Sequence, residues 1–312
     1  MRAISYCMER QSAMERRFSI TTLDVAVYVI VTGAIVFFVH RVTTGLNYHW
    51  NWSVIPQYLV RYDEQTGRWT MNLLMQGFIT TVKLSLWTIV LATILGTVMG
   101  LLRTSHRPVV RLAVRTYVEL TRNIPPLVLI FIFYFFIGEQ IMSLIGIERL
   151  IGRTPPWFQG LVSTLFTGKE NLSAFLSALI TLVIYEGSYI TEIIRAGIES
   201  IEKGQWEASA ASGLTRIQQV RHVIMPQAVR RVIPPIAGQF ISTIKDSAIV
   251  SVISIQELTF QGMELMSATY LTFEVWITIT LMYFVLTALC SFAMQRLEGR
   301  LRDKVCATPL HL

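Results

Sequence analysis

The chain has 312 residues, of which 53% are hydrophobic and 15% are charged, and its formal net charge is +7. Because a soluble domain carries about 25% charged residues, the composition argues against a protein whose whole surface faces water. The positive charge does not indicate a nucleic-acid partner, since Lys and Arg gather between apolar stretches, as they do in membrane proteins.

Six apolar stretches are candidates for membrane spans, each of which takes about 20 residues. Each is predicted to be a helix, because a backbone surrounded by lipid must satisfy its own hydrogen bonds. The sequence therefore predicts an all-α polytopic membrane protein. The six stretches cover residues 23–40, 73–103, 124–144, 172–194, 232–255 and 272–294.

The first stretch has two interpretations. Its uninterrupted apolar part, residues 25–39, follows an Arg-bearing N-terminal segment, which also describes a signal peptide. No small-residue cleavage site follows Val39, so we favour an uncleaved membrane anchor.

The distribution of basic residues predicts the orientation. Nineteen of the 27 Lys and Arg residues lie before the first stretch, after the second and fourth stretches, or after the sixth. Six lie in the alternating loops, and Lys83 and Lys245 lie inside stretches. By the positive-inside rule, both termini should be cytoplasmic.

The cysteines give no sign of a metal or redox site. Cys7, Cys290 and Cys306 have a spacing that fits no metal motif, and none lies in a segment predicted to be external. We therefore expect no disulfide, no metal and no cofactor.

Residues 204–226, GQWEASAASGLTRIQQVRHVIMP, are too polar to cross a membrane. We expect a short helix that ends at Gly213 in the left-handed conformation. Thr215 is predicted to cap a second helix, with Gln218 completing a capping box. Pro226 is expected to end that second helix, because the residue before a proline avoids helical geometry.

The first of these two helices has two possible partners. Ala208, Ala211 and Ser212 fall on one face, and small side chains there would let another protein approach closely. Alternatively, the helix could rest on the bilayer, with Trp206 as a partial anchor. The pattern alone does not separate these interpretations.

This stretch resembles the cytoplasmic coupling loop of ATP-binding-cassette importer permeases. The family pattern is Glu-Ala-Ala, three residues, Gly, nine residues, Ile, one residue, Leu-Pro. The departures here are Ser for Ala, Val for Ile and Met for Leu. The resemblance implies an ATPase-coupling role for Glu207, Ala208, Ser209, Gly213, Val223, Met225 and Pro226.

Residues 76–103, 119–135, 185–208 and 239–258 are similar to the polar amino acid uptake branch of the same family. The resemblance implies a five-helix importer core plus one N-terminal helix, with the coupling helix between spans four and five. The expected organisation has three parts. These are an N-terminal segment, extra helix and external loop over 1–71, a transmembrane domain over 72–295 with its coupling loop at 204–226, and a cytoplasmic tail over 296–312.

The resemblance also implies partners. They are ATP-binding-cassette ATPase subunits, an extracytoplasmic solute-binding protein, and a second permease subunit, the same or a related chain, in the bacterial inner membrane. The chain has no P-loop, because Gly168-Lys169 is followed by Glu170 and no glycine lies five positions before Gly168. The chain is therefore not expected to be an enzyme, and ATP hydrolysis falls to the partner.

Ionisable residues inside the apolar stretches are candidates for the substrate path, because charges in a bilayer normally face a cavity or a partner. Glu186 is the best placed to meet an ammonium group, and a structural pair is the alternative. For Lys245 and Asp246 the resemblance favours a shared structural or gating role. The ionisable candidates are thus Glu186, Lys245 and Asp246, and the polar residues Gln239 and Ser242, one turn earlier, are expected to complete a polar wall.

Three further features are expected to be structural. Glu192 and Arg195 should form an ion pair at i, i+3. Lys83 could extend towards the outer surface. The proline pairs 125–126 and 234–235 should mark helix starts or breaks.

Two other functions stay open at this point. One is an importer permease for another small solute. The other is a secondary transporter, which would usually show inverted repeats and broken helices in both halves, and we find no such symmetry in the sequence.

Overall fold

The computed structural model describes residues 21–45, 48–64, 67–105 and 107–306. The contacts divide the chain into two units, Met1–Trp50 and Asn51–Leu312. In the first unit, helix α1 (Thr22–Gly45) contains the apolar stretch Thr22–Phe37. The predicted N-terminal segment before residue 21 and the last six residues of the predicted tail lie outside the described residues.

The second unit opens with a small element that the sequence analysis did not predict. A 3-10 turn (Trp52–Val54) and helix α2 (Ile55–Leu59) precede an antiparallel hairpin of β1 (Val60–Asp63) and β2 (Arg68–Met71). Tyr62 pairs with Trp69 in this register, and their ring centroids are 5.4 Å apart. Cross-strand aromatic pairs of this kind stabilise short hairpins.

Four helical segments of the second unit are long and apolar enough to cross a membrane. They correspond to four of the six predicted stretches, so the described chain is a helical, multi-pass membrane protein. The segments are Leu73–Arg103 (α3), Lys169–Glu199, Arg216–Ile253 and Thr272–Arg296.

The predicted third stretch, 124–144, is not one straight helix. Helix α4 (Pro108–Asn123) and the segment Pro126–Met142 are together long and apolar enough to cross a membrane, but they are bent by 115° relative to each other. That segment begins with α5 (Pro126–Phe131), continues as a π-helix (Ile132–Gly138) and runs into α6 (Glu139–Ile145). Pro125–Pro126 marks the break, as expected. The described residues thus hold four spans, or five with this bent pair.

The segment between the third and fourth predicted stretches is largely helical. It contains α7 (Ile147–Gly152), α8 (Pro156–Leu165) and a 3-10 turn (Lys169–Asn171), which leads into α9 (Leu172–Glu199). Lys83 extends to this region and donates a 3.1 Å hydrogen bond from Nζ to the carbonyl of Ser163.

The fifth predicted stretch begins earlier than expected. After α10 (Lys203–Ala211), α11 (Arg216–Gln218) runs through a π-helix (Gln219–Ile224) into α12 (Met225–Asp246) and a 3-10 segment (Ser247–Ile253). In this π-helix the backbone hydrogen bonds join residues five apart instead of four, so the bonding pattern changes just before Pro226.

Two proline predictions were therefore wrong. Pro226 does not end the second helix, since the π-helical turn before it changes the hydrogen bonding locally and the helix continues into α12. Pro234 and Pro235 lie inside α12 without ending it. The neighbouring side chains of Val232 and Ala237 are buried, and this packing offsets the lost helical hydrogen bonds.

Helices α3 and α9 form the centre of the bundle. A side chain added at Gly96 would lie 2.6 Å from Cβ of Ile190, and one at Gly100 would lie 2.6 Å from Cβ of Ile194. The glycines thus let the two backbones approach closely, as small residues four apart do in membrane helices. Phe175 and Leu182 of α9 pack with Leu84 of α3 in the main apolar cluster.

The last two helices are α13 (Leu258–Thr269) and α14 (Thr272–Cys306). They pack with the start of α3 through a second apolar cluster that includes Leu74, Leu258 and Val275. The first cluster thus packs α3 against α9, and this one packs the start of α3 against α13 and α14.

Candidate functional site

A buried carboxylate lies midway along α9. Glu186 is fully buried, and Gln239 of α12 donates a 2.6 Å hydrogen bond from Nε2 to its Oε2. The other oxygen, Oε1, is buried and has no hydrogen-bond partner among the described residues, although Thr243 and Asp246 are polar neighbours of the carboxylate. A polar group buried without a partner is costly, so this oxygen is suited to accept a donor from a ligand.

The other predicted path residues lie on α12 near this carboxylate. Asp246 is close enough to interact electrostatically with Glu186, while Lys245 beside it is exposed. The hydroxyl of Thr243 donates a 2.9 Å hydrogen bond to the carbonyl of Gln239. Ser242 is half-buried. The structure therefore brings Glu186, Gln239 and Asp246 together and leaves Lys245 pointing elsewhere.

An ion-pair chain occupies the end of α9. The predicted pair of Glu192 and Arg195 is present, with 3.1 Å between Arg195 Nε and Glu192 Oε1. Arg103 at the end of α3 also pairs with Glu192, and Arg195 also pairs with Glu199. The Arg103 contact ties α3 to α9, and sequence spacing gave no signal for it because 89 residues separate the partners.

Sequence reasoning missed a second buried carboxylate, Glu257, at the start of α13. It accepts hydrogen bonds from the backbone N–H groups of Thr259 (2.9 Å) and Phe260 (2.8 Å). It also accepts from the hydroxyls of Tyr283 (2.8 Å) and Thr81 (3.3 Å). Burial raises the pKa of Glu257, and these donors offset that effect only in part.

Glu257 therefore connects three helices: it caps α13 and contacts α3 through Thr81 and α14 through Tyr283. Glu257 lies immediately before α13, and its side chain accepts from the N–H groups two and three residues later. This position before a helix is the sequence signal that could have identified it as a cap.

The loop between α9 and α12 has the predicted helix–turn–helix form. Helix α10 ends before Gly213, whose φ is +76°, the left-handed conformation expected there. Thr215 and Gln218 form the predicted capping box, with 2.9 Å between the Thr215 N–H and Gln218 Oε1. Two local sequence signals thus fix the turn.

The two sides of α10 differ. Trp206 packs against a small apolar cluster of Ile201, Ile224 and Ala228, and the hydroxyl of Ser209 is turned back to the carbonyl of Trp206. Glu207, Ala208, Ala211 and Ser212 are exposed. The exposed side thus carries small side chains and one carboxylate, without the large apolar residues that an interfacial helix needs.

The remaining predicted coupling residues lie at the junction of the π-helix and α12. Val223 packs on the cluster around Trp206, and Met225 and exposed Pro226 follow it at the start of α12. No group of three metal-ligating side chains is found among the residues described in the structure.

Comparison with known proteins identifies the family. Residues 89–303 match the family described as "Binding-protein-dependent transport system inner membrane component". This match spans the bent pair, α9, the α10 loop and the last three helices. It includes both candidate regions.

Curated relatives cover most of the chain. The "Probable glutamine ABC transporter permease protein GlnM" of Bacillus subtilis is 34% identical over 74% of this chain and 94% of its own length. The "Glutamate/aspartate import permease protein GltJ" of Escherichia coli strain K12 is 29% identical over 81% of this chain and 95% of its own.

A solved structure described as an amino acid ABC transporter is also similar, with 31% identity and a TM-score of 0.58 over 73% of this chain and 94% of that one. Like its family, the chain has no catalytic role, and ATP is hydrolysed by a separate subunit. The fold agrees with the family match. It has helices long and apolar enough to cross a membrane, and a helical loop between the fourth and fifth predicted stretches. The chain belongs to the family of inner-membrane components of binding-protein-dependent transport systems, the permease subunits of ATP-binding-cassette importers.

Proposed function

We propose that this permease imports a polar amino acid and that the substrate passes the Glu186–Gln239 pair. The names of relatives at about 30% identity refer to glutamine, glutamate and aspartate, which favours this substrate class. Import of another small solute by the same architecture is the alternative that the experiments below must exclude.

The observation that carries the proposal is the buried oxygen Oε1 of Glu186, which lacks a hydrogen-bond partner among the described residues. An α-ammonium group would supply up to three N–H donors at that point, and a charge-assisted hydrogen bond of this kind is stronger than a neutral one. Gln239 would keep the carboxylate oriented, and Asp246 would add negative potential. Ser242 completes the proposed path on α12, whereas Lys245, which points elsewhere, makes no direct contact in this proposal.

The coupling proposal concerns α10. We infer that its exposed side, with Glu207, Ala208 and Ala211, docks in a groove of the partner ATPase, and that Trp206 passes the resulting motion to α12. The whole proposed coupling set is Glu207, Ala208, Ser209, Gly213, Val223, Met225 and Pro226. An exposed surface of small side chains permits the close approach that such docking needs.

The proposed layout has six membrane helices with both termini in the cytoplasm. Helix α1 would be the extra span in segment 1–71, followed by the transmembrane domain 72–295 and a cytoplasmic tail 296–312. A second permease subunit, the same or a related chain, would complete the pore. The excess of Lys and Arg on the α10 side supports this orientation.

The substrate class is tested by uptake into liposomes that contain this chain, its ATPase and its solute-binding protein. Radiolabelled glutamine would be measured against competition by unlabelled amino acids with acidic, amide, basic and apolar side chains. We expect competition only by polar amino acids that retain an α-ammonium group. Equal competition by an N-acetylated amino acid would argue against an ammonium contact at Glu186. Assembly with the ATPase but no uptake of any amino acid would exclude the substrate class.

A further inference from the structure

A cavity of about 830 Å³ lies beside α10, where three spans end. Its walls come from the end of α3, the end of α9 and the start of the Arg216–Ile253 segment. Because all three are ends of membrane helices, the cavity lies at the level where a bilayer meets water. Its volume is in the range of small-molecule sites.

One wall of the cavity is apolar and continuous with the lipid-facing surface. Val98, Leu101 and Leu102 of α3 line it, and these side chains are 49%, 38% and 39% exposed. Their spacing of i, i+3 and i+4 puts them on one face of the final turns of α3. An acyl chain lying along α3 would cover this wall without leaving the hydrocarbon region.

The rim of the cavity is basic. The side chain of Arg111 of α4 is exposed, and its guanidinium makes no hydrogen bond or ion pair with any described residue. The guanidinium of Arg216 lies 4.3 Å from the ring centroid of Trp206, which also lines the cavity. Stacking holds the guanidinium plane but leaves its edge N–H groups able to donate to an anion.

The two other charged residues that line the cavity already form ion pairs with residues outside it. Arg103 pairs with Glu192, and Glu199 pairs with Arg195. The two arginines left, Arg111 and Arg216, thus give the rim a net positive charge next to an apolar wall. This combination fits a phospholipid with an anionic headgroup, whereas a soluble anion would leave the apolar wall uncovered.

We propose that this cavity binds one anionic phospholipid, with its phosphate between Arg111 and Arg216 and an acyl chain along Val98, Leu101 and Leu102. The lipid would contact Trp206 and so brace α10 against the ends of α3 and α9. This consequence for coupling rests on the proposed function of α10, but binding of the lipid does not.

Trp206 makes the binding directly measurable, because bromine atoms on a lipid acyl chain quench tryptophan fluorescence only at close contact. The assembled transporter would be reconstituted in phosphatidylcholine vesicles containing increasing fractions of phosphatidylglycerol brominated near the glycerol end of its acyl chain. Subtracting the signal of the Trp206→Phe variant, which keeps an aromatic ring for Arg216 to stack on, isolates Trp206 from the other tryptophans.

We expect brominated phosphatidylglycerol to quench Trp206 at lower fractions than brominated phosphatidylcholine. Arg111→Ala should raise the half-quenching fraction about fivefold, as expected for loss of one basic residue at a membrane surface. The matched control is Arg107→Ala, which removes the same charge just before α4, four residues earlier and outside the cavity. It should leave the half-quenching fraction unchanged.

Three results would overturn the proposal. Equal quenching by the two brominated lipids would indicate ordinary annular lipid. An equal effect of Arg107→Ala and Arg111→Ala would indicate general surface charge rather than a site. Relief of the quenching by excess inorganic phosphate would show that the rim prefers a soluble anion. Because the readout is contact with Trp206, it is independent of whether amino acids are transported.

Discussion

The amide of Gln239 donates a 2.6 Å hydrogen bond to the carboxylate of Glu186, which joins two membrane helices at the middle of α9. Glu186 is buried from solvent, and its second carboxylate oxygen has no hydrogen-bond donor among the described residues. Glu186 can therefore have two separate roles. Its hydrogen bond with Gln239 holds α9 and α12 together, and its negative charge would attract an ammonium group.

Glu186→Gln should separate these functions. The amide keeps an acceptor for Gln239 but removes the charge, so we expect uptake to fall about tenfold while the complex assembles normally. Glu186→Leu should reduce both uptake and the yield of assembled complex. The control is Glu170→Gln, an exposed residue just before α9. Normal uptake by Glu186→Gln would remove Glu186 from the substrate path.

The turn after α10 gives a second prediction. Gly213 has φ +76°, where an L residue costs about 1–2 kcal/mol. Gly213→Ala should therefore tilt α10 and lower ATP-driven uptake, whereas Gly213→Asn should have a smaller effect, because Asn tolerates this conformation. Gly204→Ala is the control, since a side chain there meets nothing within 4 Å. Equal uptake by Gly213→Ala and Gly204→Ala would contradict a role of this turn in coupling.

Close packing of α3 and α9 gives a third prediction. The Cβ of Gly96→Ala would lie 2.6 Å from Cβ of Ile190, so the helices must separate, and we expect a loss of about 1–3 kcal/mol of stability. Thermal unfolding in detergent measures this loss. Gly160→Ala, in open space on α8, should unfold at the wild-type temperature. An unchanged unfolding temperature for Gly96→Ala would mean that the helices pack less closely than described.

The second buried carboxylate predicts a pH dependence. Since burial raises the pKa of Glu257, the folded protein binds a proton at higher pH than the unfolded chain does. Stability should therefore rise as pH falls from neutral towards the ordinary value of 4.5. Glu257→Gln should flatten this dependence of the unfolding temperature, while Glu264→Gln, exposed on the same helix, should preserve it. A Glu257→Gln variant with the wild-type slope would assign the dependence to other groups.

Sequence patterns were informative where structure depends on neighbouring residues. Gly213 and the Thr215–Gln218 capping box are local signals, and the structure has both. The apolar stretches at 73–103 and 272–294 likewise predicted helices, because lipid leaves the backbone no other partner. The ion pair of Glu192 with Arg195 followed from helical spacing alone.

Features that depend on tertiary packing could not be predicted in this way. Pro226 suggested a helix end, but the π-helical turns before it carry the helix onward. The donors to Glu257 include Thr81, which is 176 residues away in sequence, and the partner of Gly96 is Ile190 on another helix. A single sequence does not show which distant side chains meet.

The most direct test of the central claim measures uptake and ATP hydrolysis together in the same liposomes. An ATP-driven importer should take up glutamine only when ATP and the solute-binding protein are present, and ionophores that collapse ion gradients should leave uptake intact. Glutamine-loaded binding protein should also stimulate ATP hydrolysis. Uptake that persists without ATP hydrolysis and is abolished by ionophores would contradict the account and indicate a secondary transporter.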